Sequence, residues 1–364
     1  MKFIRPTDGC MLTDAAGNTI KNIYGLKELE TELLIEHEPN RCVMVNGKKA
    51  HETCKGQYKT TIILSGYRNT IEAADPENGD CAKIAVYYLK NAANKYRLSL
   101  DDNIWFLQDI AHKKYNSLFE NPYLSFFKDV NKQYGTKVHI NIYYECPEFG
   151  GFNLSQMPDS YKNEWENNAD WLRLSFHADK NKPDKPYIEA GYERVKSDYD
   201  KTVNEIKRFA GDAVLGPVTT CHWGEMTKYG VRAFRTAGIR AVLSSFPIPG
   251  TSKTIGNYHL TDEQVEALIW YGFYKDHEED MVFRAGDIVL NSHTPEEITA
   301  ILNKIPEQYP NRSYVDLLIH EQYFYPHYSI YLPDYKERVL TGVKWCVDRG
   351  FESAFISEVA LEGN

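Results

Sequence analysis

Residues 315–321 read VDLLIHE, an apolar run that ends abruptly in His320 and Glu321. Such continuous runs are typical of strands in a parallel sheet, because helices cover both faces of that sheet. Similar runs alternate with amphipathic, helix-like segments and lie at 104–107, 138–144, 172–176, 218–221, 241–243, 288–290 and 353–359. This alternation predicts about seven or eight β/α units and therefore a (β/α) barrel, with an open doubly wound sheet as the rival fold.

The chain before residue 92 follows a different pattern. Short stretches of alternating apolar and polar residues are separated by turn residues such as Asn46-Gly47, a pair that favours a hairpin. Strands at this spacing predict a small all-β sandwich. We therefore predict a multidomain protein, with a sandwich domain over 1–92 and an α/β barrel domain over 93–364. Residues 91–102 are interpreted as the short linker between them.

Composition excludes several classes of function. The 364 residues include 42 Lys+Arg and 51 Asp+Glu, which gives a net charge of −9. We expect no nucleic-acid partner, because such binding needs a basic face that displaces counterions. We also expect no membrane partner, because no stretch approaches the roughly 20 apolar residues of a membrane span. The polar N-terminus and the 7 cysteines without a CxxC pair predict a cytoplasmic protein, unless a leader precedes this sequence.

Ionisable residues follow the predicted strands, where parallel α/β folds place their active groups. The strand-end residues are Gln108, Asp109, Glu145, His177, His222, Trp223, His320 and Glu321. One carboxylate and two imidazoles form a ligand set for Zn²⁺ or a similar divalent ion. The predicted metal ligands are Asp109, His177 and His222. Such an ion lowers the pKa of bound water to about 7 and polarises a carbonyl, which indicates hydrolysis of an amide or an ester.

His320 is the predicted general acid or base, because the pKa of histidine lies near working pH. Glu321 or Asp316 would orient it, and Glu321 is counted with His320 as a predicted catalytic residue. The predicted substrate-binding residues are Gln108, Glu145, Trp223 and Tyr323. The aromatic rings near these strand ends have two interpretations of equal standing. They stack on the faces of a sugar, or they pack beneath a lid.

Two stretches resemble known families. The order of VNGK, a Gly-Xaa-Tyr strand, NTIEAAD and KIAVYYLKN within residues 28–91 resembles bacterial Ig-like modules. Residues 100–360 resemble the polysaccharide deacetylase superfamily, which implies a distorted barrel of usually seven strands. The segment VDLLIHEQYF matches that family's last motif, which implies that His320 is the acid.

Other family motifs match less completely. LSFHADKN supplies the first histidine of a His-(Ser/Thr)-x-x-x-His motif as His177, but Asn181 stands where the second would be. PVTTCHWGEMTKYGVRAFRTAGIRAVL has the shape of the third motif, with His222 at its turn. The family's first strand ends in an Asp-Asp pair, a base and a metal ligand, for which Gln108-Asp109 is the predicted equivalent. The resemblance implies a divalent metal and hydrolysis of an acylated carbohydrate.

Three functions stay open on the sequence alone. The first is a metal-dependent, deacetylase-like hydrolase with a carbohydrate substrate. The second is a carbohydrate-binding protein on a degenerate barrel, since Gln108 cannot act as a base and Asn181 leaves the ligand set incomplete unless His222 or Asp179 substitutes. The third is a metal-free glycosidase, which needs two carboxylates about 5–9.5 Å apart, drawn from Glu145, Asp179 and Glu321.

Overall fold

Parallel strands alternate with helices after residue 95 in the computed structural model, which describes residues 1–148, 150–248 and 250–362. The strands before residue 92 are β1 (Lys2–Arg5), β2 (Cys10–Leu12), β3 (Thr19–Lys21), β4 (Lys27–Glu36), β5 (Met44–Val45), β6 (Lys48–Lys49), β7 (His51–Cys54), β8 (Gln57–Leu64), β9 (Arg68–Ala74) and β10 (Cys81–Tyr88). The later strands are β11 (Lys95–Asn103), β12 (Val138–Tyr143), β13 (Glu145–Cys146), β14 (Phe152–Asn153), β15 (Leu172–Ala178), β16 (Val218–Thr219), β17 (Ala241–Ser244), β18 (Phe246–Pro247), β19 (Thr254–Ile255), β20 (Phe273–Asp276), β21 (Met281–Ala285), β22 (Ile288–Val289), β23 (Tyr314–His320) and β24 (Glu352–Ser353).

The helices cover the later strands. They are α1 (Trp105–Lys113), α2 (Pro122–Tyr134), α3 (Lys162–Glu166), α4 (Tyr192–Ala210), α5 (Lys228–Thr236), α6 (Asp262–Tyr271), α7 (Pro295–Gln308), α8 (Tyr335–Asp348) and α9 (Ile356–Ala360). None of the helices described for this chain is long and apolar enough to cross a bilayer. Strands and helices alternate along the later chain, which confirms the predicted mixed α/β architecture.

The strands before residue 92 form two sheets, whose ladders are antiparallel except for the parallel pairing of β2 with β10. One sheet has the order β1-β4-β8-β7, with β3 added on β4. The second contains β2-β10-β9-β5-β6 and continues through β20 into β21, β17 and β16. At the junction Cys10 pairs with Tyr274, and Met11 pairs with Phe273. The early and late parts of the chain thus share one sheet, and the Ig-like identity and the boundary at residue 92 stay predictions.

The parallel strands surround a common interior in a barrel-like arrangement. One sheet has the order β15-β12-β11-β23-β22, and the other contributes β16-β17-β21. The run 281–289 belongs to both sheets, because β21 pairs with β17 and β22 pairs with β23. Asp287 lies at the bend of this run and accepts hydrogen bonds from Arg312 Nη1 at 2.6 Å and from the backbone N–H of Asp316 at 2.7 Å. A buried carboxylate therefore ties the two sheets together where their ladders separate.

The first barrel strand is β11, and this differs from the prediction in two ways. Residues 95–103 are a strand rather than part of a linker, and residues 105–113 are a helix rather than the end of a strand. On β11 the side chains of Arg97, Ser99 and Asp101 are buried and polar and alternate with apolar ones. Arg97 Nη2 donates to Thr220 Oγ1, and Asn141 Nδ2 on the neighbouring strand β12 donates to Asp101 Oδ1. The sequence of β11 is not continuously apolar, because one face of this strand lines the polar interior of the barrel.

The C-terminal prediction was also wrong in part. Residues 353–359 were expected to form a last strand, but only Glu352–Ser353 is extended, and helix α9 follows. Phe355 caps that helix, and its backbone N–H donates to Glu358 Oε2 at 2.8 Å. An apolar run of this length fits a buried helix as well as a strand, so periodicity alone does not separate the two.

Asp316 lies in the polar barrel interior, and its burial makes the stability of the protein depend on pH. Neither carboxylate oxygen has a hydrogen-bond partner among the described residues, and Arg97 Nε is 3.5 Å from Oδ1. Burial raises the pKa of Asp316 to about 7 against the opposing charges of Arg97 and Arg284. The folded protein thus holds a proton that the unfolded chain releases at a pKa of about 3.9.

We expect this proton to make the free energy of unfolding fall as pH rises from about 4 to 7, by up to about 1.4 kcal/mol per pH unit. The contribution is fully present below the unfolded pKa and is lost as pH passes the folded one. Urea unfolding of the wild type and of Asp316→Asn, a neutral mimic of the protonated acid, measures it across this range. Parallel pH profiles for the two proteins would contradict the assignment.

Candidate functional site

Three side chains meet at the carboxyl ends of barrel strands. Asp102 lies near the end of β11, His177 near the end of β15, and His222 three residues after β16. Asp102 Oδ1 is 2.9 Å from His177 Nε2 and 3.1 Å from His222 Nδ1, and the two nitrogens are 3.2 Å apart. Both histidine side chains are less than a tenth exposed. These three atoms are a candidate set of metal ligands, and the three residues are called the metal cluster below.

The backbone at Asp102 aims its carboxylate at the histidines. Its φ is +61°, in the left-handed region that costs a residue with a side chain about 1–3 kcal/mol. The ladder between β11 and β12 is irregular between Leu100 and Asn103, where the chain leaves the sheet for α1. Gln322 Nε2 donates to the carbonyl oxygen of Asp102 at 3.1 Å and supports this turn. The strained turn is therefore held by its surroundings.

Hydrogen bonds orient both histidine rings. His177 Nδ1 lies 2.5 Å from the carbonyl oxygen of Thr220, and His222 Nε2 lies 3.2 Å from that of Asn181. A carbonyl oxygen only accepts, so these two nitrogens carry the proton in the neutral rings. The lone pairs of His177 Nε2 and His222 Nδ1 then face Asp102. Metal-ligating histidines are oriented in this way, with the second nitrogen donating to a carbonyl.

A positive charge among the three converging atoms of the metal cluster would stabilise them. Burial alone would raise the pKa of Asp102, but the charge of His320 and the bonds to His177 and His222 hold it well below the usual range. Burial would lower the pKa of His177, yet the hydrogen bond to Asp102 raises it. Acceptor atoms converging at this distance repel one another unless a proton or a cation lies among them. The donor set and its geometry fit a divalent ion.

His320 and Asp101 flank the metal cluster. They are partners in the parallel ladder between β11 and β23. His320 Nδ1 and its backbone N–H lie 2.8 and 3.1 Å from Asn291 Oδ1, so Nδ1 carries a proton and Nε2 is the exchangeable nitrogen. Asp101 Oδ1 accepts from Ser99 Oγ at 2.8 Å and from Asn141 Nδ2 at 2.6 Å. An acid–base pair is thus available beside the ligands.

Asp109, the predicted carboxylate ligand, is not brought to the histidines. It lies on α1 and accepts from Tyr115 Oη at 2.8 Å and from Asn121 Nδ2 at 2.9 Å, with Lys113 Nζ at 2.9 Å. Asp102 occupies the expected position instead. The motif Asp101-Asp102 at a strand end was visible in the sequence, but the polar alternation of β11 concealed the strand.

Glu321 was predicted to be catalytic, and the structure places it as a helix anchor. It is fully buried, and its oxygens accept from the backbone N–H groups of Ile104, Trp105 and Phe106 at 2.6, 2.9 and 2.6 Å. Tyr325 Oη adds a bond at 3.0 Å. The carboxylate therefore satisfies the free N–H groups at the start of α1 and does not orient His320.

The predicted substrate-binding residues divide into two groups. The rings of Trp223 and Tyr323 lie 6.1 Å from His222 and 6.3 Å from His320, and Trp223 is 40% exposed. Glu145 pairs with Lys180 at 2.5 Å beside a cavity of about 70 Å³ that Tyr143 also lines. Gln108 lies on α1 and lines a different cavity of about 600 Å³, together with Asp109 and His327.

Comparisons with known proteins show only remote likeness. No family model and no curated protein matches the chain. A CE4 esterase from Streptococcus mutans is 12% identical, with a TM-score of 0.39, over 72% of this chain and 86% of that chain. A proposed polysaccharide deacetylase involved in O-antigen biosynthesis, from Bordetella bronchiseptica, is 10% identical, with a TM-score of 0.33, over 70% and 84%. A proposed alpha-galactosidase from Bacteroides fragilis is 10% identical, with a TM-score of 0.29, over 95% and 77%.

Proposed function

We propose that the protein is a metal-dependent hydrolase that removes an acyl group from a carbohydrate. The observation that carries this proposal is the convergence of Asp102 Oδ1, His177 Nε2 and His222 Nδ1 within 3.2 Å of one another. Zn²⁺ is the expected ion, since it takes mixed histidine and carboxylate ligands. The motif resemblance to polysaccharide deacetylases supports acyl hydrolysis on a sugar.

The corrected first strand improves the match to that family's motifs. The strand-end pair becomes Asp101-Asp102, so Asp102 is the proposed ligand and Asp101 the proposed base. Asn181 still replaces the family's second histidine, and His222 supplies the missing imidazole from the next strand end. The carbonyl of Asn181 orients His222. The binding-only alternative loses one of its motives, the absence of a base at Gln108, and keeps the other two, Asn181 and the aromatic residues near the strand ends.

The residues around the metal cluster have complementary roles in this reaction. A divalent ion at the cluster would make a water molecule more acidic and polarise the acyl carbonyl. Asp101 accepts the proton of the attacking water. His320 delivers a proton from Nε2 to the leaving oxygen or nitrogen while Asn291 holds the Nδ1 proton. Trp223 presents an exposed ring face on which a sugar would stack.

The metal-free glycosidase has less support. Of its candidate carboxylates, Glu321 uses both oxygens to bind the start of α1. Glu145 is paired with Lys180, and Asp179 is paired with Lys201. Each candidate is therefore committed to a local partner, whereas the acid of a glycosidase has to exchange its proton with the substrate.

Acetate release from N-acetylated and O-acetylated oligosaccharides tests the proposed function. The purified protein is stripped with a chelator and then reloaded with Zn²⁺, Co²⁺, Ni²⁺ or Mn²⁺. We expect release only in the loaded protein. Glycan binding without release would favour the binding-only function, and cleavage of the glycosidic bond without metal would favour the glycosidase.

Replacement of His320 by alanine is expected to lower kcat by about 10²–10⁴-fold, the usual contribution of a general acid or base. Metal content should stay unchanged, because His320 is not one of the converging ligands. His112→Ala is the matched control, since His112 is an exposed residue of α1. An unchanged kcat in His320→Ala would remove His320 from the mechanism.

A further inference from the structure

The side-chain amide of Asn141 connects the strands that supply the candidate site. Asn141 lies on β12, the strand between β11 and β15, and is fully buried. Its Nδ2 donates to Asp101 Oδ1 at 2.6 Å and to Ser99 Oγ at 3.1 Å, both on β11. Its Oδ1 accepts from Ser175 Oγ on β15 at 2.5 Å and from the backbone N–H of Thr220 at 3.1 Å. All four hydrogen-bonding positions of the amide are therefore occupied.

The partners of Asn141 fix which way its amide points. The backbone N–H of Thr220 only donates, so the atom that faces it is the oxygen. The carboxylate of Asp101 only accepts, so the atom that faces it is the nitrogen. Rotation of the amide by half a turn would set donor against donor and acceptor against acceptor. Asn141 thus directs a donor side toward the proposed base and an acceptor side toward Thr220.

The acceptor side of Asn141 spans the gap between two sheets. β15, which carries His177, is the edge strand of one sheet, and β16, which precedes His222, is the edge strand of the other. Thr220 follows β16 directly, and its carbonyl oxygen lies 2.5 Å from His177 Nδ1. The bond from Asn141 to the N–H of Thr220 therefore holds the residue whose carbonyl orients a proposed metal ligand.

A purely structural role accounts for less of this arrangement. Leucine has nearly the shape of asparagine and would fill the same buried space, and backbone ladders already join β12 to β11 and to β15. Ser99 lies two residues before Asp101, whereas Ser175 and Thr220 each lie two residues before a histidine of the metal cluster. The polar contacts of Asn141 are thus concentrated on the chain segments that position the site.

We propose that Asn141 is a positioning residue, which holds Asp101 in place through Nδ2 and fixes the orientation of His177 through Oδ1 and Thr220. It contacts neither the ion nor the substrate in this role. The inference rests on the metal site of the proposed function and adds a residue whose two sides affect different steps. The donor side affects proton transfer to Asp101, and the acceptor side affects metal binding.

Two substitutions of Asn141 separate these sides. Asn141→Leu removes both, and calorimetry on the stripped protein should show an affinity for Zn²⁺ lower by about 10–100-fold, the usual effect of losing an outer partner of a ligand. Asn141→Asp keeps an oxygen toward Thr220 but places a second oxygen against Asp101. Its affinity for Zn²⁺ should not fall. Its kcat for acetate release should fall by at least about 10²-fold with KM unchanged, because the base is displaced from the reacting water.

Asn121→Asp is the matched control for Asn141→Asp. Asn121 is 1% exposed, and its Nδ2 donates to Asp109 Oδ2 at 2.9 Å. The substitution therefore creates a similar pair of carboxylates away from the metal cluster, and the affinity for Zn²⁺ and kcat should both stay unchanged. Equal falls in kcat in Asn121→Asp and Asn141→Asp would overturn the proposal, because any buried pair of carboxylates would then have the same effect.

The outcomes distinguish this inference from the proposed function. Unchanged affinity for Zn²⁺ in Asn141→Leu, or lower affinity or unchanged kcat in Asn141→Asp, overturns the positioning role and leaves the metal site standing. Zn²⁺ binding by the wild type without acetate release overturns the proposed function, and the two affinities still test Asn141. No binding of any tested divalent ion to the wild type removes both. Asn141→Asp decides the question even where Asn141→Leu does not fold.

Discussion

Asp102→Asn is expected to lose stoichiometric metal binding, with affinity for Zn²⁺ falling by more than about 100-fold. Loss of an outer partner of a ligand already costs about 10–100-fold, and a direct ligand should cost more. Asparagine has the shape of aspartate, but it lacks the negative charge and can turn N–H donors toward His177 and His222. The ion would then face two imidazoles and a neutral amide.

Asp109→Asn is the control for this prediction, because Asp109 has the same chemistry and was the ligand indicated by the sequence. It binds Tyr115, Asn121 and Lys113 on the outside of α1, so metal content should be unchanged. Elemental mass spectrometry and calorimetry on the two variants measure the contrast. Loss of metal in Asp109→Asn, with retention in Asp102→Asn, would restore the ligand set predicted from the sequence.

Glu321→Ala is expected to lower the free energy of unfolding by about 3–5 kcal/mol, because it removes the shared acceptor of three buried N–H groups. The substitution leaves the buried N–H groups of Ile104, Trp105 and Phe106 without an acceptor, and each unsatisfied group costs about 1–3 kcal/mol. It also removes an anion from the start of α1, where the helix dipole favours one. Burial raises the pKa of Glu321 to about 7, so urea unfolding at about pH 9, where the carboxylate is ionised, measures the loss.

Two further variants separate this anchoring role from catalysis. Glu321→Gln keeps one acceptor oxygen and should lose less stability than the alanine variant. Glu145→Ala removes a carboxylate from a partly exposed ion pair with Lys180, which should cost under about 1 kcal/mol. Full stability of Glu321→Ala together with a large fall in kcat would support the catalytic role predicted from the sequence.

Local sequence patterns were sufficient for most of the barrel. Continuous apolar runs identified the strands at 138–143, 172–178 and 314–320, because these strands are buried on both faces. The strand-end position then indicated His177 and His320 as residues of one site. The same reasoning failed at β11, where Arg97, Ser99 and Asp101 line the interior and interrupt the apolar run. A polar interior gives a buried strand the alternation of an exposed one.

Only the tertiary structure shows which carboxylate lies beside the two histidines. Asp102 and Asp109 are both acidic residues next to apolar segments, and only the start of α1 at Trp105 separates their environments. His177 is 75 residues from Asp102 along the chain, and His222 is a further 45 residues on. Contacts over such separations depend on how β11, β12, β15 and β16 are aligned.

By itself, the sequence determined the α/β character of the later chain and two imidazoles of the site, since these depend on local burial patterns. The tertiary structure decided which carboxylate lies beside them, and that the early strands continue into the barrel sheet. The physical reason is that ligand convergence requires atoms to lie about 3 Å apart, and a shift of one residue in strand register turns a side chain to the opposite face.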